Sequence, residues 1–146
     1  MMSFVIETAG ISISELQSKP RVCEPCESLV EVENVILKEQ SVQLVLHVVT
    51  STKGNQTGRS FSEYLNLPNP NRESSEALKK RVLRFLLAFG QITQQDIKSG
   101  ADLNIEFEKL KGKRAIVQFV SNQNSQIQIP FYGIWHLDDP DCPAVP

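Results

Sequence analysis

A single change of period constrains this chain more than any other feature. From Leu29 to Leu67 the apolar residues recur every second position. From Leu78 to Phe89 they recur at helical spacing, and from Arg114 onward the extended pattern returns. Strands alternate side chains with period 2 and helices with period 3.6, so the chain reads as three strands, one helix and two more strands. The first strand spans Leu29 to Leu37, with Val30 and Val32 alternating against Glu31 and Glu33. After the polar break Lys38 to Ser41, the residues Val42, Leu44, Leu46 and Val48 share one face, with Gln43, His47 and Ser51 on the other. A glycine-containing loop, Ser51 to Gly58, leads to a third strand from Arg59 to Leu67, which Pro68-Asn69-Pro70-Asn71 ends.

The helix has its own punctuation. Leu78, Val82, Phe85, Leu86 and Phe89 form one stripe, and Lys79, Lys80, Arg81 and Arg84 occupy the polar side, read as a solvated face. Ser74 or Ser75 fits the N-cap and Gly90 the left-handed position after the last turn. A short helix over Thr93 to Ile97 and an extended piece over Leu103 to Phe107 precede the turn Lys111-Gly112-Lys113. The fourth strand runs from Arg114 to Val120. The fifth runs from Gln126 to Leu137, with Ile127, Ile129, Phe131 and Trp135 on its core face and Tyr132 turned outward. At the N-terminus Phe4-Val5-Ile6 fits a short strand and Ser14 to Gln17 a helical turn.

Strand, strand, strand, helix, strand, strand is the order of the OB fold, a five-stranded Greek-key barrel with its helix between the third and fourth strands. The expected organisation is an N-terminal extension over 1–27, the barrel over 28–137 and an acidic, proline-containing tail over 138–146 with no means of burying itself. No apolar run reaches the ~20 residues of a membrane helix, and the first ten residues lack the basic and apolar regions of a signal peptide, so the expectation is a cytoplasmic protein.

Charge is unevenly spread. Residues 1–52 carry three basic and seven acidic side chains, residues 53–114 twelve and seven, and residues 115–146 none and three. A polyanion would be drawn to the middle of the chain. Cys23 and Cys26 stand in one Cys-Glu-Pro-Cys motif, with Cys142 far away. Zinc asks for four ligands, usually from two such pairs, so no metal is assigned, even with His47 and His136 as additional donors. Neither histidine belongs to a nucleophile motif, and there is no phosphate loop or dinucleotide fingerprint. The expectation is a protein without catalytic activity and without a cofactor.

Three stretches resemble a phage-type single-stranded-DNA-binding family with an OB fold. Gly58 to Leu67 resembles its third strand, a glycine-led loop running into Leu-x-Leu. Leu78 to Gly90 resembles its helix, and Leu110 to Val117 the turn and strand that follow. The resemblance implies a protein of phage DNA replication, repair or recombination, working in the host cytoplasm. Known single-strand binders often end in an acidic tail that recruits replication and recombination proteins; Asp138, Asp139 and Asp141 look like a short version, although the chain finishes on Pro146 rather than an aromatic residue.

Single-strand binding needs cations for phosphates and flat side chains for bases. The candidates are Lys53 in the loop between the second and third strands, Arg59, Phe61 and Tyr64 on the third strand, Lys111, Lys113 and Arg114 at the start of the fourth, Phe119 within it, and Tyr132 on the fifth. Tyr64 shares its parity with Ser60, Ser62 and Asn66, which marks it as outward. The alternative reading is an OB-type module that binds a protein, such as a recombinase or nuclease subunit; a homo-oligomer is compatible with either.

Overall fold

A computed structural model describes residues 3–11, 20–69 and 75–146. The expected turn at Ser14 to Gln17 and the cap at Ser74 lie outside the described residues. The protein is mainly β: six strands form one curled, open antiparallel sheet, packed around one main helix. The strands are β1 (Cys26–Leu37), β2 (Ser41–Ser51), β3 (Ser60–Asn66), β4 (Arg114–Ser121), β5 (Ile127–Gln128) and β6 (Ile134–Trp135). They lie in the order β3-β2-β1-β4-β5, and β6 also pairs with β4. The helices are α1 (Ser75–Ala88) and α2 (Gln94–Lys98).

The sheet curls because its register is interrupted. β1 shifts against β2 between Leu29 and Val30, and again between Val32 and Asn34. Such bulges bend a strand and raise its twist. They let a twelve-residue β1 hold β2 on one side and β4 on the other. The first bulge also corrects the sequence reading of Ser51. The alternation along β2 slips there, and Ser51 turns inward, where its Oγ accepts from Ser28 Oγ at 3.0 Å.

The concave face carries Val30, Val32, Val42, Leu44, Leu46, Val48 and Leu65, and α1 closes it with Val82, Phe85, Leu86 and Phe89. Burial of one such side chain stabilises by roughly 1.5–3 kcal/mol. Gly90 ends α1 at φ 75, as its position predicted. Thr93 caps α2 in a reciprocal capping box with Asp96.

The expected fifth strand is two short pieces. Pro130 has no N–H to give, and the chain turns at Phe131 and Tyr132, closed by Gly133 N donating to Pro130 O at 2.9 Å. Gly133 is required by close approach: a Cβ there would lie 2.7 Å from the Pro130 ring and 3.2 Å from Gln118 O. The turn resets the parity, so Ile134 is buried and Phe131, assigned to the core from sequence, is exposed. The C-terminal residues are also less bare than expected. Asp139 and Cys142 are half-buried, and Asp139 N donates to His136 O and Cys142 N to Asp139 O. Phe4, Val5 and Ile6 form no strand and are almost fully exposed. Among the described residues no helix is long and apolar enough to cross a membrane.

Candidate nucleic-acid interface

The inner and outer faces of β3 are set by its pairing. Phe61, Glu63 and Leu65 lie opposite Leu46, Leu44 and Val42, on the core side. Ser60, Ser62 and Tyr64 lie opposite His47, Val45 and Gln43, on the convex side. Between this edge of the sheet and the β4–β5 turn runs a groove of about 420 Å³. One wall is Ser60, Ser62 and Tyr64 with Gln43 behind them, and the other is Ser125, Gln126 and Ile127. Arg21 stands at one end.

Each wall is held by polar contacts. Gln43 Nε2 donates to Ser62 Oγ at 3.1 Å. In the β4–β5 turn, Asn122 Oδ1 accepts from both Asn124 N and Gln126 N, at 2.9 and 3.0 Å, and Ser125 takes the left-handed conformation at φ 60. Tyr64 is 52% exposed, and the Lys38 ammonium of the β1–β2 turn sits 5.2 Å from its ring centre. A cation on one face and open space at the rest suit a ring that receives a flat ligand.

Charge sets this groove apart from three other clefts. Its lining contains no carboxylate. The cleft beside Trp135 carries Asp139, the apolar one between α1 and α2 carries Asp96 and Asp102, and the one at Leu37 carries Glu106 and Glu108.

The predicted residues do not gather in one place. Phe61 and Tyr64 line the groove. Lys53 is exposed in the loop that enters β3. Arg59 is engaged elsewhere: its Nε donates to Asn55 O and its terminal nitrogen to Arg21 O, each at 3.0 Å, so it fastens the segment before β1 to the β2–β3 loop. Phe119 is 1% exposed and packs on Phe61 with ring centres 5.0 Å apart, which makes it a core residue rather than a stacking platform.

Lys111, Lys113 and Arg114 sit across the sheet. Arg114 is in register with Glu31 of β1, to which its Nε bonds at 3.0 Å, and Glu31 with His47 and then Ser60. Three strand spacings put it about 14 Å from the groove edge. Tyr132 is 74% exposed on the α1 side, its ring 5.2 Å from the Arg84 guanidinium.

The polar face of α1 is not simply solvated. Lys79 and Lys80 are, but one Arg81 nitrogen donates to Glu63 Oε1 at 2.6 Å and to Ile129 O at 3.0 Å. This joins β3 to the chain just after β5 and closes the sheet's open seam at one end. Burial pushes the Glu63 carboxyl above its ordinary value, and the bond and charge of Arg81 pull it partly back. Arg84 donates to Ile134 O at 3.1 Å.

Sequence reasoning missed Arg21, Lys38, Gln43 and Gln126. Lys38 was visible only as part of a polar turn. Arg21 reaches the groove because Cys23 N donates to the fully buried Gln56 side chain 33 residues away, a pairing with no local signal. Cys23 is exposed, Cys26 is buried beside Ser28, and both are free thiols. Among the described residues no three His, Cys, Asp or Glu side chains come together as a metal-holding group. Neither a comparison with protein-family models nor one with curated proteins found a match.

Proposed function

We propose that this chain is a non-catalytic single-stranded-DNA-binding protein on an OB-type Greek-key barrel, acting in phage DNA replication, repair or recombination. The observation that carries the reading is the carboxylate-free groove, with an exposed tyrosine flanked by a lysine and closed by an arginine. Its position supports the same reading. OB barrels take oligonucleotides on the face of their second and third strands, between the turns after the first and fourth strands. Here those elements are β2, β3, the Lys38 turn and the Asn122–Ser125 turn.

Bases stack on Tyr64 and phosphates lie toward Arg21, Lys38 and Lys53. The hydroxyls and amides of Ser62, Gln43 and Gln126 meet base edges without demanding one base. Stacking is worth ~1–3 kcal/mol per base, so Tyr64→Ala is expected to weaken oligo-dT binding roughly five- to 150-fold. Fluorescence anisotropy of labelled oligo-dT at low and moderate salt, with a duplex control, tests this. Salt-sensitive binding to the single strand alone, lost with Tyr64, is the expected result. No binding at low salt and micromolar protein overturns the reading.

A further inference from the structure

One strand-like segment of the chain pairs with nothing. Leu103, Ile105 and Phe107 are half-buried against the core, and Asn104 and Glu106 between them are exposed. This is the alternation of a strand. Yet among the described residues no main-chain group from Asp102 to Ile105 bonds to another main-chain group. Such a stretch offers donors and acceptors to an incoming strand.

The same segment walls the apolar cleft of α1 and α2, a space of about 540 Å³ lined also by Leu67, Leu83 and Leu86. The cleft at Leu37 continues this surface, because Ile105 and Phe107 line both. The charges around it are unbalanced. The two clefts carry four carboxylates, Asp96, Asp102, Glu106 and Glu108, against two lysines, Lys79 and Lys109. Each lysine is already bonded to a glutamate, Lys79 to Glu76 at 2.9 Å and Lys109 to Glu106 at 3.0 Å. The carboxylates of Asp102 and Glu108 have no partner among the described residues.

We propose that this surface binds an extended, basic segment of a partner protein. The segment's main chain pairs with Asp102 to Ile105, and its apolar side chains enter the cleft at alternate positions. Its lysines or arginines, between them, stand on the exposed side with Asp102 and Glu108. Main-chain bonds supply affinity and the cleft supplies the choice of sequence. The excess of carboxylates repels a nucleic-acid strand. None of these residues lines the Tyr64 groove, so the two sites do not compete and the inference stands apart from the nucleic-acid reading.

Amide chemical-shift mapping of the full chain with an end-blocked Lys-Val-Lys-Ile-Lys-Val peptide tests it. Two peptides serve as controls, one with Glu for each Lys and one with Ser for each apolar residue. The expected result is saturable shifts at Ile97 and Asp102 to Phe107, with slower hydrogen exchange of the Leu103 to Ile105 amides. Asp102→Lys with Glu108→Lys, at exposed positions, is expected to weaken binding about tenfold. The peptide N-methylated throughout cannot donate to the main chain and is expected not to bind. No saturable binding at millimolar peptide, equal binding of either control, or shifts at the Tyr64 groove instead overturns the proposal. So do Leu103 to Ile105 amides that already exchange slowly in the free chain, because the chain itself then covers them.

Discussion

Arg81→Ala is expected to remove about 3–5 kcal/mol of folding stability, the range for breaking a buried ion pair from one side. Glu63 is 8% exposed and lies on the core-facing side of β3 between Phe61 and Leu65. Its Oε1 accepts from Arg81 at 2.6 Å. Without the guanidinium, a carboxylate is left among apolar groups, and Ile129 O loses the same donor. The link that Arg81 makes between Glu63 of β3 and Ile129 O is then lost.

The loss depends on pH in a definite direction. Burial raises the folded-state pKa of Glu63 above its ordinary 4.5, and Arg81 restrains the rise. A raised carboxyl pKa means that the folded chain holds the proton more tightly than the unfolded one. This group therefore favours folding at low pH, and that contribution is lost as pH rises from about 4.5 through the folded value. Removing Arg81 widens the window upward. Urea unfolding should show the Arg81→Ala defect largest at neutral pH and smaller in mild acid, and Glu63→Gln should flatten the slope. A defect equal at both pH values would contradict this account of the pair.

Phe119→Ala is expected to cost about 3–5 kcal/mol, the usual range for truncating a buried aromatic side chain. Phe119 is 1% exposed on β4 and its ring meets that of Phe61 across the interior. Domains of this kind have only ~5–15 kcal/mol of net stability, so a third or more can disappear with one side chain. A stacking residue on the surface would behave oppositely, losing affinity with stability nearly unchanged. Urea midpoints for Phe119→Ala and Tyr64→Ala separate the two roles. The expected pattern is a large shift for Phe119 and a small one for Tyr64. A small shift at Phe119 would return it to the surface.

The element order, the outward parity of Tyr64, the left-handed Gly90 and the short helix near Thr93 to Ile97 were all legible because each rests on neighbours within one turn or one strand. Register was not. The extra residues, Val49 on β2 and Glu33 on β1, are set by how the two strands pair, so the inward turn of Ser51 had no local mark. Pro130 and Gly133 did mark the break in the fifth strand. Reading through them carried the alternation onto Phe131 and reversed its face.

The Glu63–Arg81 pair was half legible. A carboxylate sharing parity with Leu65 is a warning that a cation must reach it, and the arginine-bearing face of α1 is one basic run that could supply it. The groove was the least legible part. Tyr64 was found, but Arg21, Lys38 and Gln126 come to it from three separate segments, brought together only by the curl of the sheet.

The central claim is that this groove takes the single strand. Amide chemical-shift mapping of the folded chain during titration with oligo-dT tests it most directly. The account predicts shifts concentrated at Lys38, Gln43, Ser62, Tyr64 and Ser125 to Ile127, with Lys111 to Arg114 and Tyr132 little moved. Shifts confined to Lys111 to Arg114 or to Tyr132, or none at saturating oligonucleotide, would contradict it.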